Sequence, residues 1–62
     1  MNMQELMHHV RRNRAILATA HDSSIQISLI DPANVNVHIS IERYKRQLEA
    51  IIEAEAALSK AL

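Results

Sequence analysis

The chain has 62 residues, with no cysteine, no glycine, one aromatic side chain, and seven acidic residues balanced against seven basic ones. Disulfides and thiolate metal sites are excluded by the first absence. Phosphate loops, oxyanion turns and dinucleotide fingerprints, which rely on backbone that only glycine tolerates, are excluded by the second. A net charge of zero removes any generic pull toward nucleic acid or an anionic membrane.

This length makes one domain, residues 1–62. A chain so short buries only about 60% of the surface its unfolded form exposes, so a monomer is marginal. Nearly half the residues are apolar (48%), too many for a disordered tail. With disulfides ruled out, pairing with another chain is the expected source of further burial. No apolar run approaches the roughly 18 residues of a membrane span. The opening Met1-Asn2-Met3-Gln4-Glu5 lacks the basic lead and apolar stretch of a secretory signal, so a cytoplasmic location is expected.

Residues 2–20 read as a helix. Asn2 followed by Glu5 three positions on is a capping-box-like start. At about 100° per residue, Met3, Leu6, Val10 and Leu17 form an apolar stripe bordered by Met7, Asn13 and Arg14, with Gln4, His8, Arg11 and Arg12 opposite. His21-Asp22-Ser23-Ser24 is then a polar break. Residues 25–30 (Ile-Gln-Ile-Ser-Leu-Ile) and 35–40 (Val-Asn-Val-His-Ile-Ser) alternate apolar and polar. Asp31-Pro32-Ala33-Asn34 between them suits a type I turn, which predicts a β-hairpin. The rival reading starts a helix at Asp31 and Pro32 and runs it from 32 to 62, against the poor helix propensity of Val-Asn-Val-His-Ile.

Residues 41–61 form a long helix with Ser40 as its cap. Ile41, Tyr44, Leu48, Ile51, Glu55, Leu58 and Leu62 recur at 3-4 spacing. Glu42–Arg46 and Lys45–Glu49 are favourable i, i+4 pairs. Glu55 interrupts the seam and would be costly there unless paired, so it sets register or ends the contact. The expected fold is thus α+β: helix, β-hairpin and long helix, forming a homodimer through the last helix. The alternative is all-α, with two helices, also dimeric.

Few residues carry chemistry. His8, Arg11, Arg12 and Arg14 form one cluster able to contact phosphates, although a solvated face that pairs with the acidic run at 49–55 explains it as well. Glu5-x-x-His8 resembles half of a bundle metal site, but the inward carboxylates such a site needs are missing, so no metal is expected. His21 and His38 lack any nucleophile at useful spacing. The sequence therefore predicts no catalytic residue and no cofactor. It predicts a small interaction protein that dimerises through Ile41, Tyr44, Leu48, Ile51, Leu58 and Leu62 and docks on a protein partner. A nucleic-acid-binding module using the arginine face is the alternative, and no membrane partner is expected.

Overall fold

A computed structural model describes all of residues 1–62 as two antiparallel helices, α1 (Met3–Ile30) and α2 (Val35–Ala61), joined by a four-residue turn. Helices of 28 and 27 residues at about 1.5 Å rise account for a rod of 44 × 14 × 14 Å. Its radius of gyration is 14.2 Å. A globule of the same length would have one of about 10.5 Å.

The expected α+β fold is overturned, and the all-helical alternative matches. Of 54 backbone hydrogen bonds, 49 lie within the helices and the rest are caps and turn bonds, so no ladder joins 25–30 to 35–40. Two physical reasons favour helix. An isolated two-stranded ribbon is marginal in water, and nothing here supplies a third strand. The chain between Met3 and Asp31 also contains neither glycine nor proline, so nothing stops a helix once started. The polar break at His21–Ser24 consequently lies inside α1. Hydroxyls that would favour a loop are satisfied within the helix instead. Thr19 Oγ1 donates to the Ala15 carbonyl at 3.1 Å and Ser28 Oγ to the Ile25 carbonyl at 2.6 Å.

The ends are set by particular residues. Asn2 Oδ1 accepts from the Glu5 amide at 2.8 Å, so the expected cap forms. Its reciprocal bond differs from the usual box, because the Asn2 side-chain amide, not its backbone N–H, approaches Glu5 Oε1 at 3.5 Å. Pro32 disfavours helix for the residue before it. Asp31 accordingly leaves the helix at φ −132° and ψ 77°. Asn34, at φ −75° and ψ 99°, then caps α2, its Oδ1 accepting from the Val37 amide at 3.2 Å. The second helix thus begins at Val35, earlier than the Ser40 cap expected for a 41–61 helix and three residues after the rival start at Pro32. No residue has a positive φ, so the hairpin closes without glycine.

Residues equidistant from the turn lie level with one another along the rod. Met7 is level with Leu58, Leu17 with Leu48, and Ser24 with Ile41. The less exposed positions of α1 include Met7, Val10, Leu17, His21, Ser24 and Ser28, with Ala18, Ala20 and Ile25 beside them; those of α2 include Val37, Ile41, Tyr44, Leu48, Ile51, Glu55 and Leu58. Both sets follow a 3-4 spacing, that of an antiparallel coiled-coil seam. Met3 and Leu6, placed on the expected stripe, are instead exposed, and Met7 takes the centre. The seam is thin. Met7, at 3%, is the one buried hydrophobic residue, and Ser24 is the other buried residue.

Candidate functional site

The side chains expected to form a dimer interface, Ile41, Tyr44, Leu48, Ile51 and Leu58, lie on the face of α2 turned toward α1, and none is buried. Leu62, at the C-cap, is exposed. Two helices in contact cover one side of each seam residue and leave the other side open.

Glu55 occupies the one acidic position in that seam. Arg11 Nε donates to Glu55 Oε2 at 3.0 Å, and Arg14 Nη1 donates to Glu55 Oε1. One carboxylate thus takes a guanidinium on each oxygen, both from α1. Its side chain is 16% exposed, whereas those of Arg11 and Arg14 remain largely in solvent. The Arg11 hydrogen bond holds the Glu55 carboxyl below the ordinary glutamate value; Arg14 acts in the same sense, and partial desolvation opposes both. Arg11, expected on the solvent side of its helix, is drawn across the seam edge by its long side chain.

This clasp divides the arginine cluster. Arg11 and Arg14 are engaged, while Arg12 makes no ion pair. His8 is exposed, its ring edge-on to that of His9 at 5.9 Å. The expected pairs Glu42–Arg46 and Lys45–Glu49 do not close to ion-pair distance. Exposed i, i+4 partners contribute only a few tenths of a kcal/mol, too little to hold long side chains together.

The other histidines are apart. His21 is half-buried, with Nδ1 at 3.9 Å from Asp22 Oδ1. His38 lies at the turn, where its Nε2–H donates to the Pro32 carbonyl at 2.7 Å. Glu5 is engaged in the α1 cap, and no group of three or more His, Asp or Glu residues gathers to hold a metal. Surface hollows are open. The largest is lined by Val35, His38, Ile39, Glu42, Arg43 and Arg46, all from the outer side of one helix.

Exposed apolar residues, most of which were expected in the strands of the hairpin, are the remaining feature. Ile16, Ile27, Leu29, Ile30, Val35 and Ile39 are all exposed, and five of these six flank the turn. The signal for them was in the sequence: Ile16, Ala20, Ser23, Ile27 and Ile30 also recur at 3-4 spacing, offset from the seam. No family model, curated protein or solved structure matches the chain.

Proposed function

We propose that this chain is a small non-enzymatic interaction protein that completes its core by pairing with a second copy and then docks on a protein partner. One observation carries the reading: a single buried hydrophobic residue in a chain that is nearly half apolar. The half-exposed seam of Ile41, Tyr44, Leu48, Ile51 and Leu58 is apolar surface still in water, and covering it is favourable at about 25 cal/mol per Å². The exposed aliphatic end around the turn, with Leu29, Val35 and Ile39, supports contact with a further protein. No helix is long and apolar enough to cross a membrane.

Thermal unfolding followed by circular dichroism at two chain concentrations about a hundredfold apart tests the pairing, since mass action raises the midpoint of an oligomer. A midpoint that rises with concentration is expected, and an unchanged one contradicts the proposal.

The second reading, a nucleic-acid module using His8, Arg11, Arg12 and Arg14, is supported by the exposure of Arg12. It is weakened by Glu55, which already neutralises part of the cluster. Gel shift at low salt, where electrostatic affinity is greatest, is its test. A shift at micromolar protein would put this reading first.

A further inference from the structure

Beyond the seam, α1 carries a second helical line of apolar and small residues, Ile16, Ala20, Ser23, Ile27 and Ile30, all exposed except the half-buried Ala20. Ile16 is 56% exposed, Ile27 46% and Ile30 85%. Positions 16, 20, 23, 27 and 30 hold no charged residue. An uncharged line at 3-4 spacing is the pattern by which helices meet.

The rod as a whole exposes more surface than a compact chain of its mass. A compact monomer of 7.0 kDa exposes about 4,000 Å². This chain exposes 4702 Å². The excess of about 700 Å² is close to the roughly 800 Å² that each partner contributes to a standard interface. Charge selects the orientation. Parallel pairing would set the Arg11–Arg14 segments of two copies side by side, like against like. Antiparallel pairing about the middle of the line brings that segment level with the turn of the other copy, which carries Asp31.

We propose that the Ile16–Ile30 line of α1 is the face on which a second copy docks, α1 against α1 and antiparallel, about a two-fold axis near Ser23. The product is a four-helix bundle. It covers the line itself and the open sides of both seams with one isologous contact. The inference rests on the self-association proposed above and names the surface that performs it.

The absence of native cysteine makes single-cysteine crosslinking a clean test. Ser23 lies beside its own copy in the proposed pair, whereas Glu53 lies on the outer side of α2. Under mild oxidation of the full chain, Ser23→Cys should form intermolecular disulfide at least about tenfold faster than Glu53→Cys, as expected of a locally concentrated pair. Ile16→Glu combined with Ile27→Glu should give the monomer mass by light scattering. If the unmodified chain has dimer mass but Ser23→Cys links no faster than Glu53→Cys, the face is wrong and self-association stands. If the Ile16→Glu/Ile27→Glu chain stays dimeric, the face is likewise wrong. If the unmodified chain is a monomer, both readings fail. Should the double variant not fold, the crosslinking rates decide alone.

Discussion

Glu55 shows how one side chain changes its meaning with its neighbours. In the sequence it is a defect in an apolar repeat. In the hairpin it is the acceptor for Arg11 and Arg14, and the three side chains tie α1 to α2 at one register. A slip of one helix past the other would leave the carboxylate against apolar side chains with neither arginine. The carboxyl titrates below its ordinary value, so its contribution is present above the unfolded-state value and is lost as pH falls through the folded one. The groups around it are the two arginines of α1, both charged throughout, and uncharged Ala54 and Ala56 beside it on α2. The melting midpoint should therefore hold from neutrality down to mild acid and fall in the range where Glu55 protonates. Glu55→Gln should start lower at neutral pH and show a smaller acid drop. Equal acid drops in the two chains would contradict this role. The partnership was legible in outline: the arginine face was read as a possible partner of the acidic run at 49–55, but which acid takes which arginine, more than forty positions away, was decided only once the hairpin was closed.

At the scale of elements, the decisive stretch is residues 21–40. Alternation of Ile25, Ile27 and Leu29 reads as a strand over six residues, but so short a window also fits a helix that exposes some of its aliphatics. Here Ile27 and Leu29 are indeed exposed, Ile25 is half-buried, and the other less exposed positions of the stretch are His21, Ser24 and Ser28. Polar residues at three of those four positions left no apolar helical repeat to follow. The turn at 31–34 was located correctly because proline acts locally, whereas which elements it joined was decided by long-range packing. Two substitutions probe these assignments. Ser24→Pro sits mid-helix and should cost about 3 kcal/mol or more, abolishing cooperative unfolding by circular dichroism. Were residues 21–24 a loop, the same change would be tolerated. Asn34→Ala removes the cap of α2 and should cost about 1 kcal/mol in denaturant titration, while an unchanged midpoint would mean that the cap bond contributes nothing.

For the whole molecule, the balance of charge and burial governs behaviour. The chain has a pI near 6.9 and four histidines. Solubility should pass through a minimum near the pI and recover on mild acidification as the chain gains net positive charge. A flat profile between about pH 5 and 8 would contradict this. Leu48 lies at the middle of the half-covered seam, and Leu48→Asp should cost about 3 kcal/mol or more and leave an unfolded or monomeric chain. Length, composition and the α2 repeat led to the expectation of a second chain. That α2 pairs with α1 was not foreseen, because His21, Ser24 and Ser28 interrupt the apolar repeat on the inner face of α1.

If two hairpins share one core, light scattering behind size exclusion at two loading concentrations gives twice the 7.0 kDa chain mass at both loadings. A mass of one chain at both would contradict a shared core and leave the exposed arginine face of α1 as the leading candidate for function.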